Sequence, residues 1–144
     1  MKIAIYPGSF NPFHKGHLNI LLKAEMIFDL VIIAKGQNPE KKANTSELPQ
    51  SISDRVIVHY NGLLTDCVKS IAEEYGTTPT VIRGLRNIVD LQYEMNQYRY
   101  FQDLMPNIQM VSIFCDKDYE HISSSGIRTL SQFGSDKVKD YLLD

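Results

Sequence analysis

Two short apolar runs, residues 2–6 (KIAIY) and 29–35 (DLVIIAK), flank a stretch of helical periodicity, and no other feature restricts the possible folds as much. The first run is partly β-branched and is stopped by Pro7-Gly8, which reads as a buried strand ending in a turn. Residues 16–27 carry Leu18, Leu21, Leu22, Met26 and Ile27 at helical spacing, predicting a helix that buries that face. Strand, helix and strand within about thirty residues make the βαβ unit of a parallel sheet. Residues 36–53 read mostly as loop, with room for one helical turn.

The same alternation continues. Residues 55–60 (RVIVHY) and 80–82 read as strands, and so do residues 108–114 (IQMVSIF). Residues 65–75 read as a helix with Cys67, Val68, Ile71 and Ala72 on one face and Gly76 as its stop. Residues 88–104 are the longest helix candidate, with Pro106 just beyond, and residues 123–133 form a helix before Gly134. Residues 136–143 read as a terminal helical piece. Alternating strands and helices predict an α/β class, a Rossmann-like doubly wound parallel sheet. At 144 residues the expectation is one domain spanning 1–144.

Composition narrows the partners. Fifteen basic against seventeen acidic side chains give net −2 and a pI near 6.1. That argues against a nucleic-acid coat protein, while leaving room for a local cationic pocket. The two cysteines, Cys67 and Cys115, are not in a CxxC pair, so a disulfide framework or thiolate zinc site is not expected. A reducing, cytoplasmic setting fits them. The first residues are too short in apolar length for a secretory signal, and no long apolar run predicts a membrane span.

Ligands of such sheets bind beyond the carboxyl ends of the strands, and three loops there carry chemistry. The first holds Gly8, Ser9, Phe10, His14, Gly16 and His17, with the two histidines three apart on a first helical turn and therefore on one side. Free amides at that helix start would favour an anion. Histidine-bound metal would need further ligands, for which Asp29 and Asp54 qualify by chemistry alone, so no protein-held metal is predicted. The second loop is Arg83-Gly84-Leu85-Arg86, two guanidinium forks suited to phosphate. The third, residues 122–128 (ISSSGIR), sets Ser123, Ser124 and Ser125 at a helix start with Arg128 one turn on, so hydroxyls, amides and a cation could meet one anion.

With HKGH after the first strand and ISSSGIR near the end, the chain resembles the HxGH nucleotidyltransferase superfamily. Within it, YPGSFNPFHKGH, GLLTD at 62–66, VIRGLRNIVDLQYEM at 81–95 and HISSSGIR at 121–128 resemble the bacterial phosphopantetheine adenylyltransferase family, with RGLR followed by Tyr93-Glu94 the most specific part. The resemblance implies transfer of AMP from ATP to phosphopantetheine with no covalent enzyme intermediate. It implies catalysis by His17, Lys41 and Arg86, with His17 on the α-phosphate. Ser9, Phe10, His14, Gly84, Leu85, Arg86, Glu94 and the run Tyr119, Glu120, His121, Ile122, Ser123, Ser124 and Ser125 would meet ATP. Ser9, Lys41, Leu64 and Arg83 would hold the acceptor, with Leu64 against its pantetheine arm. Magnesium would arrive with ATP, and a homo-oligomer, a hexamer, is implied. Ser9 stands where the family has threonine, Asn11 where it has aspartate, and Phe101-Gln102 where an asparagine–arginine pair is expected. The competing readings are a nicotinamide or nicotinate mononucleotide adenylyltransferase, then a cytidylyltransferase, and, in another class, a binding module without turnover.

Overall fold

A computed structural model describes residues 1–37 and 47–144. Five parallel strands form one sheet in the order β3-β2-β1-β4-β5: β1 (Ile3–Gly8), β2 (Leu30–Gln37), β3 (Ile57–Asn61), β4 (Thr80–Leu85) and β5 (Gln109–Phe114). The helices are α1 (Lys15–Glu25), α2 (Leu64–Tyr75), α3 (Ile88–Leu104) and α4 (Ser124–Gln132). The doubly wound α/β expectation is met, and the 3-10 turn Gln50–Ile52 is the single helical turn foreseen in the long loop. The terminal piece is a 3-10 turn, Asp136–Asp140, shorter than the helical stretch expected there.

Both faces of the sheet are covered, which is why the central strands read as unbroken apolar runs. Alternation along β1 and β2 sorts their side chains into two cores. Ala4, Tyr6, Val31 and Ile33 join Ile20, Leu21 and Ala24 of α1 on one face. Ile3, Ile5, Ile32 and Ala34 join Leu64, Val68 and Ile71 of α2 on the other. The buried stripe of α1 is Ile20, Leu21 and Ala24, while Leu22, Met26 and Ile27 are exposed, which corrects the expected face. The helix ends at Glu25, so Met26 and Ile27 lie past it and cannot share its stripe. In α2 the buried positions are Leu64, Thr65, Val68 and Ile71; Cys67 and Ala72 are half-buried. Gly76 closes α2 in the left-handed region at φ 69°, the stop predicted for it.

Strand order reverses between β1 and β4, so the crevice at their carboxyl ends is the switch point where a doubly wound sheet takes its ligand. Gly84 permits close packing there, because a Cβ on it would lie 2.8 Å from Ile20 Cγ1. Among the described residues, no helix is long and apolar enough to cross a membrane.

Candidate active site

A cleft of about 430 Å³ opens at this switch point. Of the residues expected to meet ligands, Ser9, Phe10, His14, His17, Arg83, Gly84, Leu85, Arg86, Glu94, Tyr119, Ile122, Ser123, Ser124 and Ser125 line it. Glu120 and His121 are exposed outside that wall, His121 with its ring edge on Tyr141 at 5.8 Å. Leu64 is buried in the core under α2 and is likewise not part of the wall. Lys41 lies outside the described residues.

His14 is the N-cap of α1, and its Nδ1 accepts the Gly16 N–H at 3.0 Å. His17 Nδ1 accepts the His14 N–H at 3.1 Å, completing a reciprocal cap made of two imidazoles. The rings stack at 3.7 Å. An Nδ1 that accepts carries no proton, so each neutral ring keeps its proton on Nε2 and presents an N–H donor there. Burial, then the nearby Arg86, pushes His14 down to about 4. Burial does the same to His17, followed by the charges of His14, Arg86 and Lys35, and holds it well below the ordinary histidine value. Both histidines are therefore neutral hydrogen-bond donors at pH 7.

These depressed values make stability pH-dependent with a definite sign. The unfolded chain binds the His14 proton near pH 6.5 and the folded chain only near pH 4. Stability is complete above pH 6.5 and falls as pH drops toward 4, by at most about 1.4 kcal/mol per pH unit per histidine. Urea unfolding between pH 7.5 and 4.5 should show this loss, and His14→Asn, which still caps the helix but does not titrate, should show less of it. An equal loss in both proteins would place the effect elsewhere.

The helix starts differ from expectation. At α1 the Lys15 N–H is bonded to Tyr141 O at 2.9 Å and that of Gly16 to His14, so those two amides are not open to an anion. The donors α1 offers the cleft are imidazole N–H groups instead. At α4 the Ser123 hydroxyl accepts the Gly126 N–H at 3.0 Å, while the Ser124 and Ser125 amides have no partner among the described residues. Arg128, read as an anion ligand, donates instead to Asn11 O at 2.6 Å and braces the β1–α1 loop. Asp29 caps Lys2 N–H and Asp54 pairs with Arg55, so neither stands beside the histidines.

Both arginines of RGLR are braced by carboxylates on α3. Arg83 Nε and Nη2 donate to Glu94 at 2.6 and 2.9 Å, leaving Nη1 as the outward donor. Arg86 Nε and Nη2 donate to Asp90 at 2.9 and 3.0 Å. Asp90 also accepts the Arg86 N–H at 2.9 Å, locking the β4–α3 turn. Asp90 was not foreseen; its four-residue spacing from Arg86 was the available signal. Lys35 was also missed, although a lysine closing an otherwise apolar strand marks a buried charge. It is 5% exposed and donates to Ser9 O at 2.6 Å.

A cleft whose wall is neutral imidazole N–H groups, braced guanidiniums and an open helix start is built for phosphates. The chain matches the Cytidylyltransferase-like family over residues 5–130. It is 39% identical over 140 residues to the phosphopantetheine adenylyltransferase of Mycoplasma capricolum, covering 90% of this chain and 96% of that one. To the enzyme of the same name from Clostridium botulinum strain Langeland it is 34% identical, covering 100% and 90%. In fold it is like a bifunctional NMN adenylyltransferase/ADP ribose pyrophosphatase of Francisella tularensis bound to AMP and manganese, with TM-score 0.64, 17% identity and coverage of 98% and 44%. The fold and family model define a nucleotidyltransferase domain. More narrowly, the chain belongs to the phosphopantetheine adenylyltransferase family.

Proposed function

We infer that this chain transfers AMP from ATP to phosphopantetheine, giving dephospho-coenzyme A and pyrophosphate. The observation that carries the chemistry is the pair of histidines at the sheet's switch point, each accepting a backbone N–H at Nδ1 and so left with Nε2 as its donor, lining the same cleft as the α4 start. The acceptor follows from near full-length likeness to enzymes of that name.

An oxygen of the acceptor phosphate attacks the α-phosphorus of ATP in line, the bond to pyrophosphate breaks, and no protein atom becomes attached. His17 donates from Nε2 to an α-phosphate oxygen as charge builds there, the preorganised-donor form of catalysis. The amides of Ser124 and Ser125 receive the leaving phosphates. Arg83, through the nitrogen Glu94 leaves open, and Lys41 bind the acceptor phosphate. Gly84, Leu85 and Arg86 shape the nucleotide wall.

The site carboxylates Asp90 and Glu94 are engaged with arginines. Magnesium would arrive with ATP, held mainly by phosphate oxygens and water, and would neutralise phosphate charge; no protein step runs through it. One domain, a cytoplasmic location without nucleic-acid or membrane partners, and a homo-oligomer complete the reading. Support for the oligomer comes from α3, which buries no residue and exposes Ile88, Val89 and Tyr100, and from the exposed Phe114 of edge strand β5. The hexamer implied by resemblance is the assembly proposed for these exposed apolar residues.

Steady-state kinetics with ATP and magnesium test the acceptor. Phosphopantetheine should exceed nicotinamide and nicotinate mononucleotides in kcat/KM by at least about tenfold, equal to about 1.4 kcal/mol of transition-state preference. The reverse order would replace the acceptor and keep the adenylyl transfer; no pyrophosphate release with any of the three acceptors would defeat both and favour a binding module without turnover.

A further inference from the structure

Three carbonyls of the β1–α1 loop accept from side chains of other elements. Lys35 Nζ takes Ser9 O at 2.6 Å, Arg128 takes Asn11 O at 2.6 Å, and the Ser124 hydroxyl takes Pro12 O at 2.8 Å. Three side chains from two elements, Lys35 of β2 and Ser124 and Arg128 of α4, thus pull on one short loop. The loop needs this. Phe10 sits at φ 46°, in the left-handed region, which strains a non-glycine residue and persists only where the surroundings over-determine it.

Of the three braces, Lys35 is the physically expensive one. It lies in β2 beside Gly8 of β1 and His59 of β3, only 5% exposed, and no carboxylate among the described residues pairs with it. A buried ammonium that has no carboxylate beside it is costlier than an apolar side chain of the same size. A neutral residue would fill the strand at lower cost, so a purely structural role leaves the charge unexplained. Its alternation places it with Val31 and Ile33, on the sheet face that packs α1. It is near enough to His17 for its charge to bear on that ring.

The peptide linking Ser9 to Phe10 is what Lys35 controls. In a planar trans peptide the carbonyl and the N–H point opposite ways. With Ser9 O drawn to Lys35, the Phe10 N–H is turned away from it, and that N–H has no hydrogen-bond partner among the described residues. An unpaired N–H on a residue only 2% exposed is rare in a folded protein and calls for an acceptor. Ser9 and Phe10 line the same cleft as His17. A cation on the carbonyl also polarises the peptide and strengthens its N–H as a donor.

We propose that Lys35 is a positioning residue for the transfer step, anchoring the Ser9 carbonyl so that the Phe10 N–H becomes a second donor, beside His17, to the transferring phosphate. This rests on the adenylyl-transfer reading above. Lys35 does not touch substrate; it acts through the Ser9–Phe10 peptide.

Two arms test it. In the first, Lys35→Met should lower kcat by about 10–100-fold, below the loss for a donor removed outright, with KM for ATP changed less than about threefold. Lys35→Cys alkylated with 2-bromoethylamine restores an ammonium of nearly the same length and should recover most of the lost kcat. Wild-type protein treated identically controls for Cys67 and Cys115. Should the methionine lower the melting temperature, Lys35→Gln gives the uncharged comparison. In the second arm, protein labelled with 15N-phenylalanine is titrated with inorganic triphosphate and with ATP, Phe10 being assigned through Phe10→Leu. The Phe10 amide should shift in wild type and shift much less in Lys35→Met. Unchanged kcat, failure of the alkylated variant to recover, no Phe10 response in wild type, or equal responses in both proteins would each overturn the proposal. The second arm uses no acceptor. A wild type that does not turn over with phosphopantetheine yet shows the Phe10 response would fault the acceptor and leave Lys35 in its role.

Discussion

His17→Ala should lower kcat for adenylyl transfer by about 10²–10³-fold, the scale of losing one preorganised donor to a developing oxyanion. Affinity for ATP should change little, because the α4 amides and the arginines remain. The alanine also removes the acceptor for the His14 N–H, so the cap weakens by about 1 kcal/mol. The melting temperature must therefore be measured beside the rate, and a loss confined to stability would count against the catalytic role. His17→Gln offers a sharper comparison. Its amide nitrogen reaches about as far as Nε2 and donates without titrating, so it should recover part of the lost rate. No adenylylated protein should be trapped in either variant. An isolated adenylyl-enzyme, or near-normal turnover in His17→Ala, would remove His17 from the mechanism as described.

Arg83→Met should damage both binding and stability, and the two effects separate in a double variant. Glu94 is 11% exposed at its side chain and receives two hydrogen bonds from Arg83. Losing the guanidinium leaves a mostly buried carboxylate without its cation. Breaking a fully buried pair costs about 3–5 kcal/mol, and this pair at the cleft edge should cost about 2–3. For a chain of this size that lowers the melting temperature by roughly 5–10 °C. Acceptor affinity should fall by roughly 10–150-fold, the range for a hydrogen bond to a charged group. In Arg83→Met with Glu94→Gln the stranded charge is gone, so most of the stability returns while acceptor binding does not. Calorimetric unfolding and acceptor titration on the three proteins provide the check. Stability that stays low in the double variant would show that Arg83 supports the fold by packing, and unchanged acceptor affinity would take it out of the acceptor site.

The readable parts of this protein are those whose evidence is local. Each strand is a short apolar run, and a run is apolar because both faces of the sheet are covered. The HKGH signature shows itself because N-cap and third helical position are three residues apart, so one turn of helix suffices to bring both imidazoles together. The α3 boundaries, Ile88–Leu104, follow from Asn87 at the cap and Pro106 beyond. The face of α1 was harder, since the large apolar residues Leu22, Met26 and Ile27 outweigh a small one such as Ala24 in any reading of periodicity. Ala24 is nonetheless fully buried, in the core that it shares with Val31 and Ile33 of the sheet.

The residue types and loops of the site were thus determined by the sequence itself: two histidines on a first turn, arginines at a strand end and serines at a helix start. Tertiary structure decided how each is used. Arg128 has the charge and spacing for an anion, yet the folded chain sets it against Asn11 O, 117 positions away. Glu94 looks like a free nucleotide contact and instead steadies Arg83 across 11 positions. Lys35 looks like the end of a strand and becomes the anchor of Ser9, 26 positions earlier. A donor or acceptor read from sequence is only a capacity. Which partner fills it depends on competition among all groups within about 3 Å in the folded chain, and that distance exists only once the sheet has been wound.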